Sequence, residues 1–76
     1  MDNQKFIKLF AEAVEVESVE SLSVETVFRE LDEWNSLAYL SVIAMLDDEY
    51  EVQIENANFK TLITIGDIIN YVESHK

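Results

Sequence analysis

A chain of 76 residues has room for one small domain with a modest core, and none for a separate cofactor domain or a deep substrate cleft. Acidic residues outnumber basic ones by 16 to 5, and the net charge of −11 disfavours nucleic acid and anionic membrane while favouring basic protein surfaces. There is no cysteine, which excludes disulfides and thiolate metal sites.

About half the residues are apolar, so the chain is expected to fold, as one domain over residues 1–76. Its self-repulsion predicts stabilisation by salt or divalent cations and favours a monomer. No apolar run is long enough to span a bilayer. Met1 to Lys8 lacks the basic stretch and apolar core of a signal peptide, so the expected location is cytoplasmic. One glycine and no proline argue against strands joined by tight turns, and helical spacing organises the chain instead.

The first helix is predicted from Asn3 to Val16, capped by Asp2 or Asn3, with Phe6, Leu9, Phe10 and Ala13 as its apolar stripe. Glu17 to Asn35 is a long connection too apolar for a solvated linker. Leu22, Phe28 and Leu31 are expected to pin it to the core, with a short helical turn after Thr26.

The second helix is predicted from Ser36, with Asn35 as cap, to about Tyr50. Tyr39, Val42, Ile43, Leu46 and Tyr50 form its core stripe, with Leu37 and Ala44 off it. Asp47, Asp48 and Glu49 oppose the dipole at its end, an arrangement that suits partner binding. A short third helix falls within Gln53 to Leu62, started by Asn56 or Asn58 and buried through Phe59 and Leu62. In the fourth, Thr64 and Asp67 match a capping box, and Ile65, Ile68, Ile69 and Val72 recur at helical spacing. Glu73 to Lys76 is expected to fray. The predicted fold is thus all-α, an irregular four-helix bundle with a short third helix and a long first loop.

Catalytic equipment is sparse. The single histidine, His75, falls in the predicted tail, where no general base can be held near its proton. No serine has a histidine partner, and there is no Gly-rich phosphate loop. Asp47, Asp48, Glu49 and Glu51 lack the alternating ligands and central glycine of a calcium loop, so they read as an acidic surface and no metal site is expected.

The informative segment is Trp34-Asn35-Ser36-Leu37. With Asn35 as cap, Ser36 stands in the first helical turn, where backbone N–H groups lack partners and the dipole is positive. A phosphate on Ser36 would be favoured there. No base activates the hydroxyl, so Ser36 suits modification by another enzyme better than nucleophilic work of its own. Position alone equally allows a second capping residue.

This sequence resembles the acyl carrier proteins. The family carries a serine in an Asp-Ser-Leu motif at the start of its second helix, after a long first loop, where this chain has Asn35-Ser36-Leu37. The resemblance also takes in Phe28 and Leu31, Leu46 to Tyr50, Ile54, and Ile65 to Tyr71, so it covers essentially the whole chain. It implies a carrier and not an enzyme, with 4'-phosphopantetheine from coenzyme A attached to Ser36 and flanked by Asn35 and Leu37. It also implies a phosphopantetheinyl transferase and acyl-transferring or condensing enzymes as partners.

The family is recognised through its second helix, which makes Leu37, Ala38, Ser41, Met45, Asp47 and Asp48 the expected contacts. Family cargo also enters the bundle core. Here Val42, Ile43, Leu46, Ile54, Phe59, Leu62, Ile68 and Tyr71 are either such a lining or ordinary core. Two departures mark this chain. Asn35 replaces the family aspartate, keeping a helix cap but removing a charge offered to the transferase. Ala38 and Ser41 stand where fatty-acid carriers have acidic residues, which with Trp34 suggests a specialised carrier. The implied role is acyl carriage in fatty acid or related lipid or polyketide biosynthesis. The alternatives are an aminoacyl or peptidyl carrier and an unmodified helical interaction module.

Overall fold

The computed structural model describes residues 2–75. Four helices run in the order α1 (Asn3–Val14), α2 (Ser36–Tyr50), α3 (Asn56–Phe59) and α4 (Ile65–Ser74), and no strand is present among the described residues. The all-α bundle with a short third helix is as expected. α1 packs on α2 and α4, and the buried apolar side chains form a single cluster.

α1 starts at Asp2, whose carboxylate accepts from the N–H groups of Gln4 and Lys5. It ends two residues before the predicted Val16. Glu15 takes a left-handed conformation (φ 65°), and the Val16 N–H turns back to the Ala11 carbonyl at 2.9 Å. The buried face is Phe6, Ile7, Phe10, Ala11 and Val14, so the stripe is rotated from the predicted one, and Leu9 and Ala13 are only half-buried.

The long connection is ordered by two 3-10 turns, Val19–Ser21 and Phe28–Glu30, the second being the turn expected after Thr26. Leu22 and Phe28 are buried and Leu31 half-buried. Backbone bonds tie this connection to the start of α4. Ile65 N–H donates to the Thr26 carbonyl (3.0 Å) and Gly66 N–H to that of Val24 (2.8 Å), beside an antiparallel bridge between Val27 and Thr64. The chain's one glycine stands at this crossing. A Cβ at residue 66 would lie 2.8 Å from the Val24 carbonyl oxygen and 3.3 Å from the Val24 Cβ.

α2 matches its predicted range and ends with Glu51 left-handed (φ 56°). α3 is much shorter than Gln53 to Leu62. Val52 and Ile54 are both buried with Gln53 exposed between them, an alternation that needs extended backbone. α3 begins at Asn56, one of the two starts expected, with Glu55 as cap and no side-chain capping bond. Past its end, the Arg29 guanidinium donates to the Phe59 carbonyl (2.8 Å) and to that of Leu62, and lies over the Phe28 and Phe59 rings.

α4 carries the predicted capping box and buries the four predicted residues. Asp67 Oδ2 accepts from the N–H groups of Ile63 (2.9 Å) and Thr64 (3.0 Å), and Thr64 Oγ1 accepts from Asp67 N–H (3.1 Å). α4 continues through Ser74 instead of fraying from Glu73. The His75 ring stacks on Tyr71 at 3.9 Å, with Nδ1 2.8 Å from the Tyr71 carbonyl oxygen. His75 is therefore not a free tail residue, and Lys76 lies outside the described residues.

Two outcomes follow. Gly66→Ala should lose stability, about 1–2 kcal/mol net in urea melts, because the backbone clash outweighs the roughly 1 kcal/mol that alanine gains over glycine in a helix. The N–H groups of Thr64 and Ile63 hold the Asp67 carboxyl below its ordinary 3.8. Its contribution is therefore whole above that value and is lost as pH falls through the lower folded-state pKa. The stability gap between the parent and Asp67→Asn should accordingly be constant at neutral pH and narrow on acidification below about pH 4.

Candidate functional site

The site is the N-terminus of α2 and the surface around it. Asn35 stays extended, and its carboxamide oxygen accepts from the Ala38 N–H at 2.9 Å. That bond uses one of the orphan donors of the first turn. The N–H groups of Ser36 and Leu37 have no acceptor among the described residues. Ser36 is the first helical residue, is exposed, and its hydroxyl is in no hydrogen bond among the described residues. A phosphate on this oxygen would meet two open N–H groups and the positive end of a 15-residue helix. The donor set fits a phosphodiester, and no side chain among the described residues is hydrogen-bonded to the Ser36 hydroxyl as a base would be; His75 is held on Tyr71, at the end of α4.

Trp34, just ahead of the cap, holds this end of α2 against the core. Its indole stacks on Phe10 (6.3 Å, 7°) and Phe59 (6.1 Å, 4°) and meets the Phe28 ring edge-on at 4.9 Å. Tyr39, half-buried one turn into α2, meets the Phe59 ring edge-on at 5.1 Å. Ser36 thus stands on the rim of a cleft of about 400 Å³ between α2 and α3, lined also by Arg29, Trp34, Tyr39, Phe59 and Lys60.

Along α2 the expected contact residues separate into two groups. Leu37 is 74% exposed, and Ser41, Asp47 and Asp48 are exposed too. Ala38 and Met45 are only 5% and 8% exposed and belong to the core. α2 is apolar on both faces, so spacing alone does not say which residues join the buried stripe. Leu40, 59% exposed, and Ala44 lie on the outer face, and the sequence reading did not place either among the contacts. Their signal was present as apolar residues off the chosen stripe. With Leu37 and Ser41 they border an open groove of about 630 Å³ against the end of α1, edged by Glu15 and Glu33.

Among the described residues, no group of three or more histidine, cysteine, aspartate or glutamate side chains is placed to hold a metal ion. No helix among them is long and apolar enough to cross a membrane.

The family model described as the phosphopantetheine attachment site matches residues 4–72. The chain is also similar to an acyl carrier protein of Streptococcus thermophilus (strain CNRZ 1066), at 44% identity over 54 residues, which is 71% of this chain and 69% of that relative.

The cap itself is testable. Asn35→Ala should cost about 1 kcal/mol in denaturant melts, and Asn35→Asp should lie within a few tenths of the parent, because aspartate accepts the same Ala38 N–H.

Proposed function

The chain belongs to the phosphopantetheine-binding acyl carrier family, and on that premise we propose that Ser36 is the residue that receives the arm. The observation that carries this is the exposed Ser36 hydroxyl at the head of α2, beside two N–H groups with no acceptor among the described residues. The 4'-phosphopantetheine group, once attached, supplies a flexible thiol on which an acyl group travels as a thioester. Members of this family are carriers and not catalysts, and they work with a phosphopantetheinyl transferase and acyl-handling enzymes. The chain's own residues do three things. Asn35 fixes the first turn, the N–H groups of Ser36 and Leu37 face the phosphate, and Trp34 anchors this end of α2 to the core.

The docking surface in this reading is the outer face of α2: Leu37, Leu40, Ser41 and Ala44, followed by Asp47 and Asp48. Exposed leucines offer apolar contact at the serine end, and carboxylates offer charge at the other. Ala38 and Met45 are buried and so act behind this surface, not on it. The chain works as one monomeric domain in a cytoplasmic setting. Acyl carriage is what the named relative, an acyl carrier protein, supports, and fatty acid or related lipid or polyketide synthesis is the pathway class proposed for it.

The test is transfer from coenzyme A with magnesium and a broad-specificity transferase, read by intact mass. The parent should gain one phosphopantetheinyl group and Ser36→Ala none. Asn35→Asp should be modified faster than the parent, since it restores a charge for a basic transferase surface. Absence of any gain in both the parent and Asn35→Asp would sink the assignment.

A further inference from the structure

The bundle leaves some apolar residues of α1 and α2 outside its core, and they meet in one place. Leu9 and Ala13 of α1 are only half-buried, and Leu40 and Ala44 of α2 are exposed. All four line the groove between the two helices. The hollow of about 630 Å³ beside Leu37 and Leu40 shares Ala13, Glu15, Ser41 and Ala44 with a second hollow of about 500 Å³, which extends to Leu9, Asp48 and Glu49. The joined groove follows α2 from Leu37 to Asp48, roughly three turns or about 17 Å.

Small side chains, Ala13, Ser41 and Ala44, floor the middle of this groove, so another backbone can approach closely. Its edges are the carboxylates of Glu12, Glu15, Glu33, Asp48 and Glu49. None of these carboxylates is in an ion pair or hydrogen bond among the described residues, and no lysine or arginine among them lines either hollow. An apolar floor between open carboxylates is complementary to an occupant that is apolar on one side and cationic on its flanks. The walls are helices whose backbones bond internally, so they offer no edge to an extended strand. A helix satisfies its own backbone and lays a ridge of side chains along such a groove.

We propose that the α1–α2 groove docks a basic amphipathic helix of a partner protein. The occupant lays large aliphatic side chains, spaced at i, i+4 and i+7, over Ala13, Ser41 and Ala44. Lysine or arginine beside them meets the carboxylates of the rim. The inference rests on the docking face proposed for α2 and goes beyond it: α1 supplies a second wall, and the partner element is specified. It needs no arm on Ser36.

The test titrates the full chain, before any transfer to Ser36, with an acetylated and amidated peptide of leucine, alanine, lysine and arginine whose leucines recur at helical spacing. A peptide of the same composition with its leucines dispersed controls for charge attraction alone. Affinity is measured by calorimetry at about 0.15 M salt, where exposed charges are screened beyond roughly 8 Å. Backbone amide NMR shifts locate the site. The striped peptide should bind about tenfold tighter than the dispersed one, with shifts concentrated at Leu9, Ala13, Ser41 and Ala44.

Ala44→Gln raises the floor at an exposed position, so it should fold as the parent does and bind the striped peptide about tenfold more weakly. Glu12→Gln combined with Glu49→Gln should weaken binding severalfold. Glu25→Gln, on the long connection and outside the groove, should leave it within about twofold. Equal affinity for the two peptides overturns the inference, as does unchanged binding in Ala44→Gln. Self-association of the parent in sedimentation, abolished by Ala44→Gln, overturns it in favour of a second copy of this chain as the occupant. The mass gain at Ser36 is read separately on the parent. A parent that gains the mass but does not distinguish the peptides overturns the groove alone, and one that binds the striped peptide but gains no mass overturns the attachment alone.

Discussion

The packing of the Phe28 ring is the contact on which the other elements depend. It comes from the long connection, yet it meets Phe10 of α1 at 6.3 Å, Trp34 ahead of α2 at 4.9 Å and Phe59 of α3 at 5.4 Å. An unstructured segment between two helices loses conformational entropy when it is ordered, and burial of a large ring is the kind of gain that offsets this. Backbone bonds from Ile65 and Gly66 to Thr26 and Val24 hold the same segment against α4. With both attachments made, the connection delivers Trp34 and Asn35 at a fixed place, and α2 can begin only at Ser36.

The proposed attachment end of the molecule is a by-product of that anchoring. A serine at the head of a helix is common, but here the preceding indole locks the helix to the core and the cap consumes only one orphan donor. The hydroxyl is therefore positioned and unhindered while lacking a base to activate it. This division of labour suits a carrier, whose serine is worked on by another protein and whose arm must then move freely. The acidic excess fits the same role, since charge complementarity speeds encounter with basic partners without demanding a large, permanent interface. In the proposed docking surface, exposed Leu37 and Leu40 offer the local apolar contact that charge alone does not.

Helix ends show where sequence and structure part. Both α1 and α2 stop at a glutamate in the left-handed region, Glu15 and Glu51, with no glycine to announce the stop. Such a residue costs about 1–2 kcal/mol. It is held by the return of the next N–H to a carbonyl of the last turn, from Val16 to Ala11 and from Val52 to Leu46. For α2 the acidic run Asp47 to Glu49 already suggested an end near Tyr50. For α1 nothing local did, and the helix was read two residues too long.

The sequence by itself determined the all-α class, the start of α2 at Asn35-Ser36, the capping box of α4 and its four buried positions, and the burial of Phe28. The helical ones are local or periodic signals, a side-chain acceptor three residues from its donor or an apolar repeat along the helix, and Phe28 is legible as a large ring in a connection too apolar for a solvated linker. The predicted stripe of α2 does face the core, with Val42 and Leu46 fully buried, but tertiary structure alone decided that Ala38 and Met45 join it while Leu37 and Leu40 stay outside, because both faces of the helix are apolar. It also decided that Val52 and Ile54 belong to extended backbone, which shortened α3 to four residues. And it brought Trp34, Tyr39 and Phe59 together beneath Ser36, since contacts between residues so far apart in the chain leave no mark in local spacing.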